Sequence, residues 1–282
     1  METKKKLYGI GSIIQGIELF PVMFSSSKHN HPTEFEWDSN TNGEHLIFMD
    51  NDVLKVSSYK NKFKFAWLLE PECLIPKAYK FVKNNLEKFD LIFTHNERIL
   101  KMTDRAKFVP LGGMWIEPEH RYVQEKTKLN SFLFSDKNGA PGHRLRHEIA
   151  GKFSGFDKFG KGARKHLKTK TTALKDYMFS ITVENTKEDY WFTEKILDCF
   201  AVGTIPIYWG CPSIGDFFDT NGILIFDNID ELESILNNLT PELYYDKLES
   251  VKINYEKSKR YWIADDLIYS YLKESNLKME NI

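Results

Sequence analysis

Two sets of polar residues sit where they could do chemistry, each directly after a run of apolar, β-prone residues. The first comprises Asp50 and Asp52 after HLIFM (His45 to Met49), Glu70 after FKFAWLL (Phe63 to Leu69) and His95 after DLIFT (Asp90 to Thr94). Glu70 precedes Pro71, so the chain leaves the strand with this carboxylate near its apolar edge, where desolvation raises its proton affinity toward that of a general base. Any one of the four taken alone also fits an ordinary turn or cap. The second set is Glu184-Asn185 after YMFSITV (Tyr177 to Val183), followed by Thr193-Glu194-Lys195. Thr193 suits an N-cap for the stripe Ile196, Leu197, Phe200 and Ala201, so free backbone N–H groups and the positive helix end would point where the Lys195 ammonium points. That combination suits a phosphate, although Glu194 and Lys195 equally fit solvated first-turn charges. Upstream, Arg146 lies in a helix opening with GHRLRH (Gly142 to His147), and a guanidinium can grip a diphosphate bidentately.

Such residues converge when strand ends gather on one side, as in parallel α/β sheets. The order of runs supports that class: strands at His45 to Met49 and Phe63 to Leu69, a helix over Pro76 to Phe89, and strands at Asp90 to Thr94 and Lys107 to Leu111. Glu117 to Lys128 (EPEHRYVQEKTK) reads as a linker, after which the rhythm restarts. Strands follow at Ser131 to Phe134, Tyr177 to Val183, Thr204 to Trp209 and Ile223 to Phe226. Helices are expected around His143 to Phe153, over Glu194 to Val202 and after Asn228, with long helical stretches from Pro241 to the end. GFDKFGKG (Gly155 to Gly162) reads as a strand-to-loop turn without a dinucleotide or P-loop fingerprint. Two α/β units are expected, over 1–125 and 126–262, with a helical tail at 263–282.

Composition narrows the function. The 282 residues carry 39 Lys+Arg against 40 Asp+Glu, with 41% hydrophobic residues, which excludes a disordered chain and argues against a broadly basic nucleic-acid surface. No apolar run approaches the roughly 18 residues of a membrane helix. The average hides a basic segment, Lys137 to Lys175, with eleven Lys/Arg against two acidic residues. It implies an anionic partner or a solvated lysine-rich face. Cys73, Cys199 and Cys211 form no CxxC pair, which suits a reducing compartment. The basic start and the stretch from Leu7 to Phe24 superficially resemble a signal peptide. Gly9, Gly11, Gln15, Gly16 and Glu18 interrupt it, and a first strand with an adjoining loop is expected instead. No metal site is expected: Asp216 to Asp219 and Asp265-Asp266 read as capping or surface residues, and His29-Asn-His31 as a loop.

The run YMFSITVENTKEDYWFTEKILDCFAVGTIPIYWGCPSI (Tyr177 to Ile214) resembles the donor-binding motif of the α1,3/1,4-fucosyltransferases, glycosyltransferase family 10. In that motif a strand ends in Glu-Asn, a spaced Tyr-x-Thr-Glu-Lys opens a helix, and a small-residue turn leads into a Pro-containing strand ending in Gly. FSGFDKFGKG is similar to the family's Asp-aromatic-Gly segment, Arg146 occupies the place of a donor-contacting arginine, and FAWLLEPE resembles the segment holding the family's proposed base. The resemblance is clear from about Ser131 to Phe226, thin over Phe63 to Glu72, and absent from residues 1–60 and the C-terminal tail.

The resemblance implies an α/β fold of two Rossmann-like domains facing across a cleft, the B-type glycosyltransferase fold. It implies inverting transfer of fucose from GDP-fucose to a hydroxyl of an acceptor glycan. Glu70 would be the base, Arg146 and Lys195 would neutralise the diphosphate, Glu194 would hold ribose hydroxyls, and Glu184 and Asn185 would line the donor pocket. Where the family has Tyr three residues before the motif glutamate, this sequence has Trp191, with Tyr190 one step earlier. Either the indole N–H or Tyr190 supplies that phosphate contact. No cofactor is required on this reading, GDP-fucose being a co-substrate and a divalent metal at most stimulating. The partners are GDP-fucose and an acceptor oligosaccharide rather than nucleic acid, and the expected location is the cytoplasm. A transferase using another nucleotide sugar, a non-catalytic glycan- or nucleotide-binding protein, and a polyanion binder using the lysine-rich segment are the competing readings.

Overall fold

The computed structural model describes residues 5–10, 30–38, 40–275 and 277. Gly11, Gln15, Gly16, Glu18 and His29, on which parts of the sequence reading fell, lie outside the described residues. The chain divides into one unit formed by Met1–Gly113 with Ile263–Ile282 and another formed by Met114–Trp262.

The first unit begins with β1 (Lys5–Ile10), β2 (Phe35–Asp38) and β3 (His45–Met49), followed by β4 (Phe63–Leu68), α1 (Pro76–Lys83), β5 (Leu91–Thr94), α2 (Glu97–Met102) and β6 (Ala106–Phe108). Its strands are all parallel, in the order β2-β1-β3-β4-β5-β6. One face packs Phe65, Trp67 and Phe93, and the other packs Phe48, Leu68 and Tyr79. Burial on both faces is why these strands read as unbroken apolar runs instead of alternating. Met49 pairs with Trp67 and Leu68 with Thr94, so this register delivers Asp50, Glu70 and His95 to the carboxyl end of the sheet.

The second unit contains β7 (Lys128–Leu133), α3 (Pro141–Lys152), β8 (Asp157–Phe159), β9 (Tyr177–Val183), α4 (Glu194–Ala201), β10 (Ile205–Trp209), β11 (Leu224–Ile225), α5 (Ile229–Asn237), α6 (Pro241–Asp246) and α7 (Leu248–Ser258). Its parallel sheet runs β11-β10-β9-β7-β8. β9 is central and all seven of its residues are buried. The last helix, α8 (Ala264–Glu274), returns to the first unit and packs Ala264, Ile268 and Leu272 against its core.

Three expectations change. The division falls at Gly113/Met114 instead of 125/126, and the C-terminal helix belongs to the first unit, because its apolar stripe completes that core. Glu117 to Lys128 is no free linker: Lys126 is 5% exposed and its ammonium donates to Lys175 O, Val202 O and Thr204 Oγ1, fastening the segment to the second unit. Asp265 is not a surface residue but is buried and accepts the Trp37 indole N–H at 2.7 Å, while Asp266 accepts from Thr33. Among the described residues, no helix is long and apolar enough to cross a membrane.

Candidate functional site

In the second unit the site is built where β9 ends and α4 begins. Thr193 caps α4, its hydroxyl oxygen accepting from Lys195 N at 3.3 Å and from Lys195 Nζ at 2.9 Å. The hydroxyl proton goes to Glu184, whose Oε2 lies 2.8 Å away, while Glu184 Oε1 accepts the Thr193 backbone N–H at 3.0 Å. Lys195 Nζ is also 3.2 Å from Glu184 Oε2. Glu184 is wholly buried, so it fixes the helix start and aims the lysine; the ammonium, on a partly exposed side chain, is what a ligand would meet. Lys195 Nζ lies 3.6 Å from Glu194 Oε1 as well, and a cation beside the N-terminal N–H groups of α4 is an arrangement that suits an anion.

The N-terminus of α3 abuts the same strand end. Gly142 N donates to Asn185 O at 2.9 Å, and a Cβ on Gly142 would lie 1.7 Å from Glu184 O, an approach only glycine permits. Arg146 is 5% exposed and turns its Nε and Nη2 onto Val183 O, with Nη2 also 3.0 Å from Asn185 Oδ1. That edge of the guanidinium therefore ties α3 to β9 and orients Asn185. Tyr190 is half-buried at φ +62°, its backbone N–H donating to Ser213 Oγ, whereas Trp191 is completely buried. Of the two aromatics, Tyr190 is the one with surface to offer a ligand.

Glu194 leads to residues the sequence reading passed over. Its Oε1 is 3.2 Å from Lys170 Nζ, which is 3.0 Å from Asp198 Oδ2 and sits over the exposed Trp115 ring at 5.2 Å; Asp198 Oδ1 accepts the Trp115 backbone N–H at 2.7 Å. Burial would push Glu194 up, but Lys170 and Lys195 hold it well below the usual carboxylate range. A cavity of about 40 Å³ beneath is lined by Thr182, Val183, Lys195, Lys170, Asp198 and Cys199. That volume has room for a few water molecules and not for a nucleotide, so a ligand of that size would lie over it. Asp198 carried a signal: it is a carboxylate set between Leu197 and Cys199 on a helix buried almost all round. Lys170 carried none beyond its place in the basic segment, of which Lys152, Lys161, Lys165 and Lys168 are indeed exposed.

In the first unit Glu70 is half-buried at the end of β4, with Asp50, Tyr79 and His95 around its backbone. Among the described residues, no group of three His, Cys, Asp or Glu side chains could hold a metal ion.

No protein-family model matches the chain. The α-(1,3)-fucosyltransferase FucT of Helicobacter pylori is 33% identical over 102 residues, which are 34% of this chain and 21% of that protein. A solved α1,3-fucosyltransferase structure aligns over 88% of this chain and 82% of its own, with TM-score 0.59 and 18% identity. A second, of α1,3-fucosyltransferase with GDP, aligns over 86% and 82% with TM-score 0.56 and 18% identity. The likeness is to the α1,3-fucosyltransferases. At that identity the structural match establishes the fold, two Rossmann-like units of the B-type glycosyltransferase kind. The sequence match is local, since the chain spans about a fifth of the curated relative's length.

Proposed function

We propose that the chain is an inverting glycosyltransferase that transfers fucose from GDP-fucose to a hydroxyl of an acceptor glycan. The observation that carries this reading is the start of α4, where buried Glu184 and the Thr193 cap hold Lys195 beside the helix N-terminus, within the segment that resembles the fucosyltransferase donor motif. The local identity to a fucosyltransferase supports it. In the reaction Glu70 takes the proton of the acceptor hydroxyl as that oxygen bonds to the sugar's anomeric carbon. The bond from that carbon to the diphosphate breaks, and its electron pair leaves with GDP. Negative charge grows on the diphosphate, where Lys195 and the α4 N–H groups stabilise it. Tyr190 supplies a phosphate contact, and Glu194, held by Lys170, takes the ribose hydroxyls. The free cysteines fit work in the cytoplasm, with burial pushing the Cys199 and Cys211 thiols up to about 12 and about 11.

A thermal-shift panel of GDP-fucose, GDP-mannose and UDP-sugars tests the reading. The expected result is a rise with GDP-fucose that exceeds the rest, since a ligand bound only to the folded state stabilises it. Response to a different sugar nucleotide reassigns the donor, and no response to any guanine nucleotide refutes the transferase reading. Lys195→Ala should weaken GDP binding by roughly 10-fold or more, the effect of one charge-assisted contact. An unchanged calorimetric titration would remove Lys195 from the site.

A further inference from the structure

At the carboxyl end of the first unit's sheet, Asp50 combines features that packing alone does not require. It is 2% exposed and adopts φ +46°, the left-handed region that non-glycine residues enter at a cost and that clusters at functional sites. Its Oδ1 accepts two backbone N–H groups, Leu69 at 2.8 Å and Glu70 at 3.2 Å. On the other side of the same residue, Tyr79 Oη donates to the Glu70 carbonyl at 3.0 Å and lies 3.3 Å from His95 Nε2. With the tyrosine proton on Glu70, the His95 ring supplies the proton of that second contact. Both peptide groups of Glu70 are therefore held, the N–H by Asp50 and the carbonyl by the Tyr79–His95 pair. Asp50 Oδ2 is buried and has no hydrogen-bond partner among the described residues.

We propose that Asp50 is the positioning residue for Glu70: it fixes the exit from β4 so that the Glu70 carboxylate meets the acceptor hydroxyl. This rests on the reading of Glu70 as the base. The groups facing Asp50 are Glu70 from the end of β4 and Asp52 from its own turn, the latter paired with Lys55 at 2.6 Å; Tyr79 and His95 stand on the far side of Glu70. Burial pushes the Asp50 carboxyl up to about 7, with Glu70 and Asp52 adding to the effect against the pull of the two N–H bonds. Asp50 thus gains its charge near neutral pH. Once ionised it holds the Leu69 and Glu70 N–H groups more strongly, as a charged acceptor does, so the clamp on Glu70 tightens as pH rises through 7.

The test compares wild type with Glu70→Gln, Asp50→Ala and Asp50→Asn in transfer from GDP-fucose, with GDP affinity measured by calorimetry. Asp50→Ala is expected to lower kcat about 10- to 100-fold, the scale of a misplacement near 1 Å, with GDP affinity unchanged. Asp50→Asn keeps an acceptor for the two N–H groups and should restore most of kcat. The wild-type kcat should climb through pH 7, and the Asp50→Asn profile should lack that climb. Wild-type kcat in folded Asp50→Ala, or matching pH profiles for wild type and Asp50→Asn, would overturn the proposal; Asp50→Asn alone decides if Asp50→Ala does not fold. Full turnover in Glu70→Gln would instead refute the base assignment. Hydrogen exchange at the Leu69 and Glu70 amides then reads the clamp without chemistry: Asp50→Ala should accelerate it, and unchanged exchange overturns the positioning role.

Discussion

Lys170 stands between two carboxylates that lie one turn apart on α4, Glu194 and Asp198. Without a cation between them such like charges repel, and Asp198 is only 1% exposed. Burial drives the Asp198 carboxyl up to about 6 even beside Lys170. Lys170→Met should therefore destabilise the protein by on the order of 3 kcal/mol, as expected when one partner of a largely buried ion pair is removed. The sign of its pH dependence follows from linkage. A carboxyl whose folded pKa is raised contributes stability that is present in acid and is lost as pH rises through the folded value, here about 6. Losing Lys170 raises the folded proton affinity of both carboxylates further, so the deficit should be largest at pH 8 and shrink toward pH 5 in urea unfolding. A deficit that ignores pH would show that Lys170 acts through packing on Trp115. At this scale the sequence was legible only where partners are near in the chain. Thr193, Glu194 and Lys195 declare themselves as a helix start, whereas Lys170 meets Glu194 and Asp198, and Asp198 meets Trp115, only because the fold joins distant segments.

The crossing of α3 over the end of β9 sets how the donor-side loop is held. Gly142 donates to Asn185 O and leaves no room for a Cβ, which would lie 1.7 Å from Glu184 O, and one turn later Arg146 bonds Val183 O. Gly142→Ala must push the helix off the strand, costing about 1–3 kcal/mol or more as overpacking does. Because the displaced backbone carries Glu184 and Asn185, GDP affinity should fall with stability. Gly151→Ala is the matched control: nothing lies within 4 Å of its added Cβ, and in a helix this change should gain about 0.5–1 kcal/mol with GDP affinity unchanged. Equal behaviour of the two in melting and calorimetry would mean that the close approach does not position the loop. Elements were legible where burial on both faces wrote them as apolar runs, as in β3, β4 and β9. β2 was missed because FEWD is short and alternates. α1 stops at Lys83 instead of reaching Phe89 because Asn84 and Asn85 follow, and the Asn85 side chain donates back to Phe81 O at 2.8 Å.

The chain leaves the first unit at Gly113, builds the second, and re-enters the first at Ile263. An apolar stripe on α8 is visible in the sequence, but what it packs against is decided only by the fold, which is why residues 263–282 read as a separate tail. The four residues Ala264, Ile268, Tyr269 and Leu272 are each at most 3% exposed, in a cluster with Trp37, Phe65 and Trp67. Burial of a large apolar side chain is worth about 1.5–3 kcal/mol, and a domain has about 5–15 kcal/mol in all. Losing α8, together with the Asp265–Trp37 bond, therefore removes enough to unfold the first unit. Among the described residues, the second unit's cluster, built on Phe179, Ile181, Ile205 and Ile207, includes none from beyond Trp262. A chain ending at Trp262 should accordingly lose part of its cooperative melting and all transfer, since Glu70 goes with the first unit. The remaining transition should still rise on adding GDP, because Lys195, Thr193 and Glu184 stay folded together. Loss of the GDP response in the shortened chain, with the second unit's melting intact, would mean that the nucleotide needs residues of the first unit as well.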